Sequence, residues 1–282
     1  MPIRALLALL ALSISFFLTT SLTSNGGLQN LTFDHTYATY GRLLREHVVN
    51  TRVNYTTLKQ NRSTLDEVIQ TFSYTTERDF TSWSTPRQLA FLINAYNVFT
   101  LQAIIDHYPI ERRWFDFWNP ANSIKQIPGV WTTLRWQVAG SQMTLDDIEH
   151  NALRQNYSEP RIHFAVNCAA MSCPPLKSEP YVDIRLERQL ALATRDFLAS
   201  DDGLSIEGDY LYVSRIFDWY GDDFVDDYAN LVEAAAPLRD RAIAGIIAKY
   251  GPSTASQVAQ SGKARIRFLP YDWSLNDLYL SH

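Results

Sequence analysis

The stretch of sequence that decides the fold is residues 85–107, TPRQLAFLINAYNVFTLQAIIDH. Apolar side chains recur through it at helical spacing and leave only a narrow polar face, which predicts a helix from Pro86 that is buried on most sides. Thr85 is placed to cap this helix, and Gln88 completes a Thr-x-x-Gln capping box. Pro86 suits the first turn and Pro109 ends the helix.

Shorter elements surround this helix. Helical spacing of apolar residues predicts further helices, and alternating or β-rich runs predict short strands. The predicted helices span residues 35–49, 56–73, 145–155, 183–199 and 227–250, with Thr144 as the cap of the third. The predicted strands span residues 134–138, 161–167, 210–214 and 265–273. Residues 110–131 are rich in Trp, Pro and Gly and are predicted to form a surface loop. Helices first, with short strands interleaved, indicate an α+β fold that is helix-rich and has a small, mainly antiparallel sheet.

Composition limits the classes of protein to consider. The chain has 282 residues, a formal net charge of −5 and 46% hydrophobic residues, which is typical of a globular protein large enough to bury a core without disulfides. Its acidic balance argues against a nucleic-acid partner. No internal repeat or linker interrupts the sequence, so we predict a single domain over residues 34–277.

The N-terminus has the layout of a secretory signal peptide. Residues 1–24, MPIRALLALLALSISFFLTTSLTS, place Arg4 before an apolar run of about 14 residues, and polar residues follow. An uncleaved membrane anchor is the alternative, but the run is shorter than the roughly 20 residues that span a bilayer. We therefore expect a secreted or extracytoplasmic protein, attached to a membrane only if this segment is retained.

Cys168 is the candidate nucleophile, because the predicted strand 161–167 ends at it and a strand end can present a side chain to a cleft. A thiol needs a base or positive surroundings to ionise near neutral pH. Only His282 follows Cys168, so a Cys–His pair must use an earlier histidine. His150, on a short helix before the strand, is better placed than His163, which would lie on the opposite strand face roughly 16 Å away.

A catalytic imidazole also needs a group that orients its second nitrogen. The candidates are Glu149, Asn94 and Asn97. Glu149 adjoins His150 and points elsewhere on a helix. Asn94 and Asn97 lie three residues apart in the long apolar helix, and one of them would orient His150 or bind an oxyanion.

Cys173 leaves other interpretations open. It can form a disulfide with Cys168 in an oxidising compartment, or either cysteine can be a buried packing residue. The C-x4-C spacing differs from the C-x-x-C of redox sites, and His150, His163 and the two cysteines match no standard zinc spacing. No nucleotide-binding or metalloprotease motif occurs, so we expect no cofactor and no metal.

Two clusters mix aromatic and acidic residues, at 217–224 and at 271–276. They predict either core aromatics with capping carboxylates or a cleft wall that receives a sugar or a peptide. Asp222 and Asp223 are a poor glycosidase pair, because adjacent residues rarely point into one site.

Four segments in a fixed order carry a resemblance: LAFLINAYN at 89–97, LDDIEH at 145–150, HFAVNC at 163–168 and YDWSLN at 271–276. Together they resemble the domain of unknown function 547 family, over about Tyr37 to Asn276. The family pattern places its motif residues here at Glu149, His150, Asn94, Asn97 and Cys168. The resemblance favours Cys168 as the functional thiol over a family-wide disulfide. A cysteine-peptidase-like fold follows only by analogy.

These observations give one leading hypothesis and two alternatives. The leading hypothesis is an exported thiol hydrolase or acyltransferase acting on peptide-like amide bonds. Cys168 would attack the carbonyl, and His150 would take and return the proton. Glu149 would be a nearby charge or a structural residue. The alternatives are a non-enzymatic binding module, with structural Cys, His and Asn residues and a peptide-like or small-molecule ligand, and a thiol–disulfide role.

Overall fold

The computed structural model describes residues 33–233 and 235–279, so the predicted signal peptide or anchor at 1–24 lies outside the described residues. The α-helices in these ranges are α1 (Ala38–His47), α2 (Tyr55–Gln60), α3 (Arg62–Ser73), α4 (Glu77–Ser82), α5 (Thr85–His107), α6 (Leu186–Leu198), α7 (Ile216–Tyr220), α8 (Val225–Tyr228), α9 (Leu238–Tyr250) and α10 (Ser253–Gln260). The strands are β1 (Val48–Val49), β2 (Arg52–Val53), β3 (Trp136–Val138), β4 (Ser141–Met143), β5 (Leu204–Glu207), β6 (Tyr210–Val213) and β7 (Arg265–Phe268). A π-helix spans Asp147–Arg154 and a 3-10 helix spans Pro160–Phe164.

Helix α5 is the centre of the N-terminal part of the fold. It is long and apolar enough to cross a membrane, but 89% of its apolar window is buried inside the protein, as in the core helix of a globular domain. The predicted capping box is wrong, because Ser84 is the N-cap and Thr85 already lies in the helix. Gln88 instead donates to the Phe80 carbonyl and accepts from the Tyr157 hydroxyl, both at 3.0 Å.

Two hydrophobic cores build the domain. The first packs α1, α2 and α3 around α5 and includes the buried rings of Phe72 and Phe99. The second packs α9 and the three-stranded sheet around Phe197, Phe217 and Phe224. Full burial of one such ring contributes about 1.5–3 kcal/mol, so each core offsets a large part of the ordering entropy of its own helices.

The sheets are small and mainly antiparallel, which confirms the α+β prediction. Strands β1–β2 and β3–β4 form two-stranded antiparallel pairs, and β5–β6–β7 form a three-stranded sheet in which only β6 and β7 run parallel. The β3–β4 turn uses Ala139 and Gly140 at positive φ, 49° and 83°, as a type I′ hairpin requires. At Gly140 a side chain would also collide with the Glu77 backbone, since a Cβ there would lie 2.7 Å from its nitrogen.

The predicted strand at 161–167 is wrong, and the correction changes the candidate site. Pro160 opens a 3-10 helix there, and the Glu159 carboxylate caps it by accepting from the Arg161 N–H at 3.2 Å. The alternating pattern predicted one buried and one exposed face, but Ile162, His163 and Phe164 are all buried. Tertiary contacts therefore override the local β propensity.

Other helices and strands also begin or end at residues different from those predicted. The predicted helix 227–250 is divided into α8 and α9, since Pro237 lies at the start of α9. The predicted strand 265–273 ends at Phe268, shortly before Pro270. The helix expected at 145–155 is the π-helix. Its predicted cap is confirmed: Thr144 Oγ1 accepts from the Asp147 N–H, and Asp147 accepts from the Thr144 N–H, both at 3.0 Å.

Candidate active site

A cleft of about 250 Å³ opens between the two cores and is lined by residues of both. Its aromatic wall consists of Tyr96, Trp131, Trp219, Tyr220, Tyr271 and Trp273. Its ionisable residues are Asp146, Glu149, His150, His163, Cys168 and Cys173. Both aromatic–acidic clusters contribute to the wall, through Trp219 and Tyr271, while Phe217 and Phe224 lie in the core. The cleft therefore brings Cys168, His150 and Glu149 together.

The C-terminal segment holds the loop that carries Cys168. The Met171 N–H donates to the Ser274 carbonyl at 2.8 Å, and the Asn276 N–H donates to the Ala169 carbonyl at 2.9 Å. Ala169 itself has φ 62°, a left-handed conformation that costs a non-glycine residue roughly 1–2 kcal/mol. The backbone pairing on both sides keeps this strained turn, and with it Cys168, in place.

Asn94 and Asn97 have a different task from the one expected. The Asn94 amide donates to the Tyr181 carbonyl and accepts from the Tyr181 N–H, at 2.7 and 3.0 Å. The Asn97 amide donates to the Ala165 carbonyl at 3.0 Å and accepts from the Asn167 N–H at 2.8 Å. Both amides are buried and act as backbone clamps, and the hydrogen-bond partners of neither include His150.

Cys168 and Cys173 are free thiols in close contact. Their sulfur atoms are 2.9 Å apart, and the Tyr271 hydroxyl lies 3.4 Å from the Cys168 sulfur. Hydrogen bonding from Cys173, followed by that from Tyr271, lowers the pKa of Cys168 against the opposing effect of burial. Burial and the neighbouring Cys168 raise the pKa of Cys173. Cys168 is therefore the sulfur that ionises first.

His150 lies in the cleft but does not bind Cys168. Among the described residues, the side-chain partners of the Cys168 sulfur are Cys173 and Tyr271. The Nδ1 atom of His150 instead faces an Arg154 guanidinium nitrogen at 3.0 Å. Its Nε2 atom lies 3.8 Å from an Asp146 carboxylate oxygen. The direct Cys168–His150 hydrogen bond expected from the sequence is not formed: Arg154 lies at the Nδ1 atom of the imidazole and Asp146 lies near the Nε2 atom.

His163 has the second imidazole of the cleft. Its Nε2 atom lies 2.7 Å from Asp223 Oδ2, and its ring stacks on Tyr220 with 4.2 Å between centroids and 14° between planes. Its Nδ1 atom is buried and has no hydrogen-bond partner in the described part of the chain. His163 lies in the 3-10 helix and not on a strand, so the strand geometry expected to separate it from Cys168 does not apply.

One ion pair connects the two imidazoles. Arg154 binds Asp223 with two parallel hydrogen bonds, of 2.6 and 2.8 Å, and also contacts His150. Burial acts to raise the pKa of Asp223, but hydrogen bonds from His163 and Arg154 outweigh it and hold that pKa well below its usual range. The charged Asp223 thus orients His163, while Arg154 orients His150.

Glu149 points into the same cleft as His150, contrary to the expectation from an α-helix. The π-helix has a wider turn than an α-helix, which brings adjacent residues closer to one face. Glu149 is buried, and its charge adds to burial in raising the pKa of Tyr220. Among the described residues, no group of three or more His, Cys, Asp or Glu side chains is arranged to hold a metal ion.

Sequence reasoning missed Arg154 as a member of the site, and it raised Asp223 and Tyr271 only as parts of the two aromatic–acidic clusters. Arg154 carries a local signal, since it follows His150 by four residues and so shares its helix face. The pairing of Asp223 with Arg154 has no sequence signal, because the two lie 69 residues apart and only the fold brings them together. Tyr271 likewise reaches Cys168 only through the pairing of the C-terminal segment with the cysteine loop.

The comparison with family models agrees with the resemblance seen in the sequence. Residues 80–198 match the model described as "Protein of unknown function, DUF547". This range contains α5, the π-helix and Cys168, but not the segment 271–276, so it is shorter than the expected Tyr37 to Asn276. No curated protein and no solved structure matches the chain.

Proposed function

We propose that this chain, whose residues 80–198 match the family of proteins of unknown function DUF547, is a thiol hydrolase or acyltransferase acting on peptide-like amide bonds. The observation that carries the proposal is the shared cleft, in which a Cys168 thiol of lowered pKa lies with two oriented imidazoles. The proposal includes export, because residues 1–24 predict a signal peptide; that part stays a prediction.

The hydrogen bonds of the two imidazoles assign them different roles. Arginine has only donors, so His150 Nδ1 accepts from Arg154 and its proton is on Nε2. His150 therefore serves as a donor. The Asp223 carboxylate accepts from His163, so the His163 proton is also on Nε2 and the lone pair on Nδ1 stays free. We therefore propose His163 as the general base in place of His150. Among the described residues His163 makes no hydrogen bond to Cys168, so its Nδ1 atom would have to approach the thiol when substrate binds.

The proposed reaction follows from these roles. His163 Nδ1 takes the Cys168 proton, and the thiolate attacks the substrate carbonyl to give a tetrahedral oxyanion. His150 Nε2–H donates to that oxyanion. His163 then returns the proton to the amine as the C–N bond breaks, which leaves a thioester on Cys168. Water or a second amine, deprotonated by His163, attacks the thioester and releases the acyl product with the thiol restored.

The size and walls of the cleft limit the substrate. Its volume of about 250 Å³ suits one acyl group or a short peptide-like segment rather than a large ligand. Trp219 and Trp273 provide apolar surface for the substrate. The analogy to cysteine peptidases rests on Cys168 and His163 in one cleft, with Asp223 bound to His163. A Cys–His–Asp set recurs on unrelated folds, but here the Cys168–His163 hydrogen bond is not formed.

Thiol alkylation tests this proposal without a known substrate. Under reducing conditions, iodoacetamide should modify Cys168 rapidly and leave Cys173 unmodified, as read by peptide mass spectrometry. The rate should rise with pH around a midpoint below the value of about 8.5 for a free cysteine, because Cys173 and Tyr271 stabilise the thiolate.

Tyr271→Phe removes one donor and should raise the midpoint, whereas Tyr74→Phe, at a site 77% exposed, should leave it unchanged. An inert Cys168, or one with the midpoint of a free thiol, would instead support a non-enzymatic binding module.

The 2.9 Å sulfur–sulfur contact favours a second candidate, a thiol–disulfide role. Cys168 and Cys173 would lose two protons and two electrons to an oxidised thiol compound, forming one disulfide while the compound is reduced to two thiols. In a glutathione redox buffer, mass spectrometry should then show a reversible loss of two hydrogens. Cys173→Ser separates the candidates, because it abolishes disulfide exchange but leaves the acyl-transfer nucleophile in place.

A further inference from the structure

Residues 114–118, WFDFW, form a loop that exposes four aromatic side chains. The exposed fractions are 90% for Trp114, 56% for Phe115, 62% for Phe117 and 74% for Trp118. We call these five residues the aromatic loop. Single exposed apolar residues are ordinary, but a contiguous patch of four large rings marks an interaction surface.

The backbone of the aromatic loop is hydrogen-bonded inward to one buried side chain. Gln126, only 3% exposed, accepts from the Arg113 N–H at 3.0 Å. Its amide nitrogen lies 3.1 Å from the Asp116 and Pro120 carbonyls and 3.4 Å from the Asn119 carbonyl. This network ties the base of the loop to the protein, and the two N–H groups of the Gln126 amide are shared among the three carbonyls.

The loop also neutralises its own charge. Asp116, the only ionisable residue between Trp114 and Trp118, accepts from Arg113 at 2.5 Å and from Asn119 at 2.8 Å. Outside the loop, the exposed Glu111 and Arg112 carry opposite charges. The aromatic loop and the residues just before it therefore carry no net charge that would attract an oppositely charged partner.

We propose that the aromatic loop inserts into the headgroup region of a lipid bilayer. Within the loop, the Asp116 N–H donates to the Arg113 carbonyl and the Asp116 carbonyl accepts from Gln126. The other backbone groups of residues 114–118 have no partner among the described residues, which suits the hydrated headgroup region and not the hydrocarbon core. Indole and phenyl rings are the groups that favour the membrane interface. A protein partner would bring its own hydrogen-bonding groups and shape, and this face offers it little of either.

The base of the loop connects to the wall of the cleft. The Asn122 carbonyl accepts from the Leu275 N–H at 2.8 Å, and the Lys125 ammonium lies 4.5 Å from the centre of the Trp273 ring. Insertion of the loop would therefore fix the Trp273 side of the cleft close to the membrane surface. This inference does not rest on the proposed function, because it uses different residues.

Vesicles of phosphatidylcholine with brominated acyl chains test the proposal on the full chain. Bromine quenches nearby indoles, and residues 1–32 contain no tryptophan, so the quenching does not report on the N-terminal segment. We expect the wild type to be quenched, with binding retained at high salt because the rings rather than charges insert.

The informative variant is Phe115→Ser with Phe117→Ser, which keeps both reporter indoles. It should weaken partitioning by about tenfold or more and reduce the quenching. The matched control, Tyr74→Ser with Ile184→Ser, changes two residues that are 77% and 87% exposed and should behave as wild type.

Three results would overturn the proposal. In the first, the indoles are unquenched although the protein still co-sediments with the vesicles, which would place the membrane contact elsewhere in the chain. In the second, binding requires anionic lipid and is lost at high salt. In the third, the wild type self-associates without lipid, the Phe115→Ser, Phe117→Ser variant does not, and neither is quenched, which would make a second copy the partner.

Discussion

Cys168→Ala is expected to lower kcat/KM for an amide or acyl substrate by at least about a thousandfold, because it removes the atom that forms the acyl intermediate. Cys168→Ser should lose nearly as much activity, since a hydroxyl is a far weaker nucleophile near neutral pH. Turnover of a panel of short peptides and acyl esters, compared between wild type and variants, measures the effect.

The Cys168 variants need a control for folding and a control for the second sulfur. Cys168 is only partly buried, so thermal unfolding of Cys168→Ser should stay close to that of wild type. Cys173→Ser keeps a donor beside Cys168 and should retain most of the turnover. Equal rates for wild type and Cys168→Ala, with both proteins folded, would rule out the acyl-transfer proposal.

Local sequence signals predicted much of the fold and the position of the thiol. The apolar period of residues 85–107 predicted α5, and the Thr144 cap was correct because both depend on neighbouring residues. Cys168 lines a cleft, as the sequence predicted, although the strand expected before it is a 3-10 helix. The 3-10 helix and the loop after it still present Cys168 to the cleft, because the C-terminal segment fixes that loop.

The roles of the polar residues could not be predicted in the same way. Asn97 and Asn167 are 70 residues apart, and the clamp between them exists only in the folded chain. From the sequence alone, a polar residue in an apolar helix looks like a catalytic group. In the fold it hydrogen-bonds buried backbone groups instead. The proposed change of base from His150 to His163 depends on a contact of the same kind, since Asp223 binds His163 from 60 residues away.

The second large effect is the loss of activity on removal of either imidazole, and alkylation with iodoacetamide distinguishes the roles of the two. His163→Ala should lower kcat/KM by about a hundredfold to ten-thousandfold, the usual contribution of a general base. It should also slow alkylation of Cys168 near neutral pH, because the thiol loses its proton acceptor. The ring is only 2% exposed, so its removal leaves a buried space in which added imidazole should restore part of both rates.

His150→Ala provides the matched comparison. It should lower kcat/KM by about a hundredfold to a thousandfold through loss of the oxyanion donor, yet leave the alkylation rate close to that of wild type. Iodoacetamide reacts without forming a tetrahedral oxyanion, so only the base should matter to it. If His150→Ala slows alkylation more than His163→Ala does, the two roles are reversed, and Arg154 would then have to move away from the His150 Nδ1 atom during the reaction.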